Sequence, residues 1–272
     1  MLKRIITSVF IVPALLLMVY FCGTWLFVGA FAAAALIGTY EMLKCTGNLK
    51  VYPVAVPAYL LAVALPILVK CGISAYYVLP FAALYLLLVS GIAVNNEALS
   101  FEKTAPAYIT VAYVLFGFTS LVRLGCVEGV GMVWFIAVWI ACISTDVFAY
   151  FTGMLLGRHK LCPNISPKKT VEGAVGGIVF CVLAFWGYGV LLEQKFSLEV
   201  DILPLCVAAV FVSVVAQMGD LALSVVKRKY GVKDYGFIFP GHGGILDRFD
   251  SVIAVSVLFS MVERGFNIFS AK

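Results

Sequence analysis

Four aspartates stand where an apolar chain has least reason to carry charge. Asp146 lies in Ile143-Ser-Thr-Asp-Val-Phe-Ala-Tyr150, and Asp220 closes Gln217-Met-Gly-Asp220. Asp247 and Asp250 follow the turn Pro240-Gly241-His242-Gly243-Gly244 directly, three residues apart. A carboxylate inside a membrane span is costly and is a functional candidate by default. The spacing of three puts Asp247 and Asp250 on one side of a helix that begins there. The glycines let backbone amides approach a ligand closely. Two carboxylates beside such a turn, with Asp220 as a third, suit a hard divalent cation, since Mg²⁺ takes carboxylate oxygens together with substrate phosphates. Asp220 and Asp247 are the expected metal ligands, with Asp146 and Asp250 as supporting or second ligands. The plainer alternatives are an Asp247–Arg248 ion pair and a helix-to-helix polar contact at Asp220.

Ser213, Gln217, Asp220, Ser224 and Lys227 follow steps of three and four, a polar stripe on an otherwise apolar helix. For Ser213 and Gln217 the plainer alternative is glue between helices. Upstream, Ser166-Pro-Lys-Lys-Thr-Val-Glu-Gly173 places Lys168 and Lys169 just ahead of a helix start. Lysines beside a positive helix N-terminus make an anion site; the alternative is a plain cytoplasmic anchor. Glu172, in the first turn, reads as capping and dipole compensation. The run Lys227-Arg-Lys229, with Lys233 beyond it, is either a topology signal and headgroup anchor or a phosphate grip.

The elements that must carry these residues are membrane spans. Of 272 residues, 63% are hydrophobic and 12% charged, and the mean hydropathy is +1.07. A soluble domain has about 25% charged residues. Nine spans are expected, near 5–22, 25–43, 54–70, 74–94, 105–123, 131–150, 171–192, 202–226 and 250–269. They are long and unalternating, which makes them helices of an all-α polytopic bundle, not barrel strands. Met1 to Cys22, with Lys3 and Arg4, is expected to be a retained first helix and not a cleaved leader. This threading puts 14 of the 19 Lys and Arg on one side and five (Lys70, Arg123, Lys195, Arg264, Lys272) on the other. The positive-inside rule then places the N-terminus and the two long loops, 151–170 and 227–249, in the cytoplasm and the C-terminus outside. Residues 1–130 read as scaffold and 131–272 as the catalytic region. The eight cysteines form no CxxC pair and read as small hydrophobes. No internal repeat supports an inverted-repeat transporter.

The stretch Ser224-Val-Val-Lys-Arg through Lys233-Asp234, Gly236 and Phe239-Pro-Gly-His-Gly-Gly-Ile-Leu-Asp-Arg-Phe-Asp250 resembles the signature of the phosphatidate cytidylyltransferases, also called CDP-diglyceride synthases. The match is nearly continuous over 27 residues. Ser166 to Gly173 and the Asp146, Tyr150, Gly153 segment also look like that family's. The resemblance covers about 144–251. It implies that CTP and phosphatidate give CDP-diacylglycerol and pyrophosphate with Mg²⁺, and it leaves room for a monovalent cation. For that reaction, Asp220, Asp247, Lys227, Arg248 and His242 are the expected catalytic residues. Substrate contacts are expected from Ser166, Lys168, Lys169, Ser224, Arg228, Lys233, Asp234, Gly243 and Gly244. His242 fits a phosphate donor and a structural turn residue equally. The expected setting is a bacterial inner membrane with the site facing the cytoplasm. The partners are CTP, phosphatidate and the bilayer, with a homodimer left open and no nucleic acid.

Three rivals stand at this level, one of them a purely structural membrane protein, whose polar residues need not cluster in two loops on one side. A CTP-using lipid kinase of the polyprenol type would transfer the γ-phosphoryl group and release CDP. A cation transporter would use Asp146, Asp220 and Asp247 as an ion path, but the expected outer half of the chain is nearly bare of charge.

Overall fold

The structure is a computed structural model that describes residues 13–73, 84, 101–196, 198–239, 241 and 243–271. The expected span 74–94 and the start of the span 5–22 lie outside the described residues, as do Pro240 and His242. Among the described residues, six helices are long and apolar enough to cross a membrane: α1 (Trp25–Cys45), α2 (Tyr52–Lys70), α3 (Phe101–Gly125), α4 (Gly131–Leu156), α5 (Val171–Phe196) and α6 (Ile202–Lys229). Their outer faces carry large apolar side chains, among them Leu203 (74% exposed), Phe211 (60%) and Trp186 (55%). Such surfaces have hydrocarbon as their solvent. The protein is a polytopic, α-helical integral membrane protein.

The last expected span is corrected in its bounds. Its helix, α7 (Leu246–Gly265), starts earlier, ends earlier, and is not among the six apolar helices. It carries Asp247, Arg248, Asp250, Glu263 and Arg264. The apolar residues that lengthened the expected span, Ile268 and Phe269, are buried against protein. Phe269 lies in strand β4 (Phe269–Ala271), antiparallel to β3 (Leu198–Val200) and paired with Val200. A second small hairpin, β1 (Lys160–Cys162) with β2 (Ser166–Thr170), lies within the 151–170 loop. These two ribbons are additions to the all-α expectation.

The chain forms two compact units. One takes in the described residues up to Arg123 together with Tyr230–Phe249. Here α1 packs on α2. Helix α1 ends where Asn48 N–H bonds the Leu43 carbonyl and Gly47 N–H that of Lys44. That double closure needs a left-handed residue, and Gly47 supplies it at φ 74°. Gly38 lets Leu246, Phe118 and Val114 come close to the α1 backbone. Phe249 meets Phe118 and Phe31 edgewise or tilted, at 5.2 and 6.2 Å between ring centres. The face of α1 that carries Gly38 therefore looks onto the first turn of α7.

The other unit holds Leu124–Lys229 and the chain from Asp250 onward. Its frame is the pair α4 and α5, joined by small residues. Ala149 and Gly153 on α4 face Gly173 and Gly177 on α5, both sets spaced by four. A Cβ at Gly173 would lie 2.6 Å from the Ala149 carbonyl oxygen, so only glycine fits. Close backbone approach of this kind drives helix pairing where there is no water to expel. Phe148 stacks on Phe180 at 4.2 Å across the same seam. Trp134, Phe259 and Phe269 fill the far end, with centroid distances of 5.5 and 4.8 Å from Trp134.

Candidate functional site

In this second unit the polar stripe on α6 divides by depth. Ser213, fully buried, accepts a hydrogen bond from Thr145 of α4 at 2.9 Å. Gln217 donates to the Ala174 carbonyl of α5 at 3.2 Å. Both act as glue between helices. One turn further, Asp220 meets Lys169 of β2, with Nζ 2.6 Å from Oδ2. Both side chains keep about a quarter of their surface, 25% and 28%. The ammonium itself is buried, so the pair is sheltered enough to resist salt screening. Ser224 donates to Asp220 Oδ1 at 3.4 Å.

Asp250 lies within hydrogen-bonding reach of the Asp220 carboxyl, and Asp146 and Lys227 are close enough to be felt electrostatically by Asp250. Asp250 also accepts the Ser251 amide at 2.8 Å. Crowded carboxylates repel one another unless a cation lies among them. Here Lys169 supplies that charge to Asp220. A cavity of about 320 Å³ adjoins the group, lined by Asp146, Tyr150, Ser166, Lys168, Lys169 and Gln217 among others. Its wall combines acid, ammonium and hydroxyl groups, as a phosphorylated ligand with a counter-ion would need.

The hairpin that presents the lysines is anchored at both ends. Val171 N–H bonds the His159 carbonyl, and Thr170 Oγ1 caps α5 by accepting the Gly173 amide at 3.1 Å. Lys169 is half-buried and Lys168 stays exposed. The lysines are thus on a strand edge leading into the helix, close to the expected place. Glu172 does something different from the capping expected of it. It accepts the amides of Arg158 and His159 at 3.1 and 3.2 Å and contacts His159 Nδ1 at 2.6 Å. It pins the turn after α4, whose amides lack helix partners. Arg228 is exposed and donates through Nε to the Ile165 carbonyl at 3.4 Å, which ties α6 to the hairpin loop.

The first unit holds the Gly-rich turn. Lys233, Asp234 and Arg248 are exposed there, while Gly243, Gly244 and Asp247 are buried. The expectation that the turn's amides face a ligand is corrected for Gly244, and the amides that flank the turn are likewise taken. Asp247 Oδ2 accepts the amides of Tyr235 (2.7 Å) and Gly244 (2.9 Å). The amides of Ile245 and Leu246 go to Glu41 of α1, at 3.0 Å to Oε1 and 2.9 Å to Oε2. The first amides of a helix have no partner within it, and a buried helix start must find acceptors elsewhere. Two carboxylates provide them here. Phe239 N–H bonds the Gly243 carbonyl at 2.9 Å and closes the turn. Gly243, at φ 84°, leaves no room for a side chain beside Asp247.

Sequence reasoning passed over Glu41. The signal was available: it is an acidic residue in the expected span 25–43, the same criterion that picked out Asp146 and Asp220. Among the described residues, no three His, Cys, Asp or Glu side chains stand close enough together to hold a metal ion as they are. The donor type nonetheless fits Mg²⁺, which commonly uses one or two carboxylates and completes its shell with substrate phosphates and water.

A family model described as "Cytidylyltransferase family" matches residues 2–266. The chain belongs to the cytidylyltransferase family. It is 39% identical to a phosphatidate cytidylyltransferase of Bacillus subtilis over 186 residues, 68% of this chain and 66% of that one. It is 34% identical to a Staphylococcus haemolyticus protein of the same description over 268 residues, 96% of each chain. A Staphylococcus aureus relative so described is 39% identical over 182 residues, 66% of each. Lys169, Asp220, Ser224, Asp247 and Asp250 all lie within the stretch that this cytidylyltransferase model matches.

Proposed function

We propose that this family member is a phosphatidate cytidylyltransferase, which joins CTP to phosphatidate and releases pyrophosphate. The observation that carries the reading is the Lys169–Asp220 pair beside a cavity lined by Ser166, Lys168 and Asp146. It supplies positive charge for phosphates and acidic oxygens for a cation at one place. Family membership gives the transferred group, and the relatives' names give the lipid acceptor.

The phosphate monoester of phosphatidate is already anionic near neutral pH and needs little help from a base. One of its oxygens attacks the α-phosphorus of CTP, the bond from that phosphorus to the bridging oxygen breaks, and pyrophosphate leaves. Catalysis is then positioning and charge neutralisation. Lys168, Lys169, Lys227, Arg228 and Lys233 hold phosphates, and Arg248 can clamp one through two parallel hydrogen bonds. Ser166 and Asp234 contact substrate, and His242 is assigned a donor role toward a phosphate oxygen. Asp220 and Asp247 would hold Mg²⁺, with Asp146 and Asp250 in support. Bound there, Mg²⁺ would draw charge from the triphosphate. Ser224 steadies Asp220. A monovalent second cation and a homodimer are compatible with this scheme. The chemistry is assigned to residues 131–272, with the N-terminus and the site on the cytoplasmic side of a bacterial inner membrane, the C-terminus outside, and no role for nucleic acid. The basic-residue asymmetry supports that orientation.

The test is product identity. The purified chain in detergent, given CTP, phosphatidate and Mg²⁺, is expected to form pyrophosphate and CDP-lipid in equal amounts. CDP as the released nucleotide would instead support the kinase reading.

A further inference from the structure

Glu41 is 2% exposed and sits in the last turns of α1, three residues after Gly38 and on the same face. Burying a carboxylate is expensive unless hydrogen bonds replace its water. Its two oxygens each accept a different amide at the start of α7, those of Ile245 and Leu246. Such charge-assisted bonds at a positive helix end are the strong kind. The adjoining carboxylate, Asp247, takes Tyr235 and Gly244. Four amides of one turn are thus held by two acids from different parts of the chain. Gly236 and Gly244 both lie against the Glu41 carboxylate, where a Cβ would collide with it.

We infer that Glu41 is a positioning residue, which fixes the turn 235–246 and through it the direction of Asp247. The inference rests on the cytidylyltransferase reading above, in which Asp247 serves the reaction. Asp247 Oδ2 is bound to this turn, so the carboxylate stands where the turn holds it. The turn is in turn seated on Glu41. Glutamine cannot do the same work. It has one acceptor oxygen, and its amide group would face an N–H donor. A residue that only filled space would tolerate the exchange.

The test uses the intact chain in detergent and three readouts. These are CDP-lipid formation as a function of Mg²⁺ and of phosphatidate, thermal unfolding, and hydrogen exchange of the peptide spanning Ile245 and Leu246. Groups that hold a metal ligand in place change metal affinity or activity by about 10–100-fold when lost. Glu41→Gln is expected to raise the half-activating Mg²⁺ concentration and lower kcat within that range. The KM for phosphatidate should stay within about twofold, because no substrate contact is lost. Exchange at Ile245 and Leu246 should speed up, and Glu41→Asp should recover part of the loss. Gly236→Ala keeps Glu41 but presses on its carboxylate, so it should shift the Mg²⁺ requirement the same way; it decides the matter if Glu41→Gln does not fold. Wild-type kcat, Mg²⁺ requirement and exchange in either variant would overturn the inference. So would a loss in Glu41→Gln confined to unfolding temperature. A wild-type chain that makes no CDP-lipid would instead defeat the cytidylyltransferase reading, and the exchange readout would still report on Glu41.

Discussion

Two pairs of carboxylates in this protein do opposite things with the same chemistry. Asp220 faces side chains and spends its charge on the ammonium of Lys169 at 2.6 Å, while Asp250 takes one amide, that of Ser251. Glu41 and Asp247 face backbone, and four amides at 2.7–3.0 Å take up their charge. An ammonium on a flexible stem can be exchanged for another cation or drawn off by a phosphate. Backbone amides at a helix start have no other partner and cannot leave. The first pair is built to be re-partnered during a reaction, and the second to keep a turn in one conformation. Carboxylates that look alike in the sequence are separated by what they touch.

The comparison can be broken by neutralising one acid from each pair. Asp220→Asn should lower CDP-lipid formation by about 1,000-fold, the scale for losing one group that stabilises charge in the transition state. Its melting temperature should barely change. Asp247→Asn should also cost activity, but with a fall in stability of about 2–3 kcal/mol, because its NH₂ would confront buried amides or leave one unpaired. Equal stability of the two variants, measured by thermal unfolding in detergent, would erase the distinction. Lys169→Met should reduce kcat/KM for CTP by about 100-fold if the ammonium passes to a phosphate. Unchanged kinetics would return Lys169 to the role of an anchor. The smallest effect is expected at Ser224, whose bond to Asp220 is long at 3.4 Å. Ser224→Ala should change activity by less than about threefold, in keeping with a contribution near 0.5 kcal/mol.

Much of this was legible in the sequence where a residue's surroundings follow from its place in a span. Asp146 and Asp220 stood out because lipid makes charge conspicuous, and the i, i+3 and i, i+4 stripe on α6 came out on one helix face. Ser213 and Gln217 acted as glue, the plainer of their two readings. What misled was burial by protein mistaken for burial by lipid. Ile268 and Phe269 looked like the tail of a span, yet they are covered by β3 and the aromatic cluster around Trp134. The glycines of the 240–244 turn were read as room for a ligand. At Gly243, Gly244 and Gly236 the room is used by Asp247 and Glu41. That use depends on a contact between residues about 200 apart in the chain, which no local pattern encodes. Glu172 shows the same limit on a smaller scale. Its position predicts a helix cap, but the nearby amides of Arg158 and His159 were in greater need of an acceptor.

The central claim, that the chain moves a cytidylyl group and not a phosphoryl group, is tested most directly by following label from CTP. With the wild-type chain, phosphatidate and Mg²⁺, label in the α-phosphate should enter the lipid fraction and label in the γ-phosphate should leave entirely as pyrophosphate. Lipid that carries the γ-label would contradict the account.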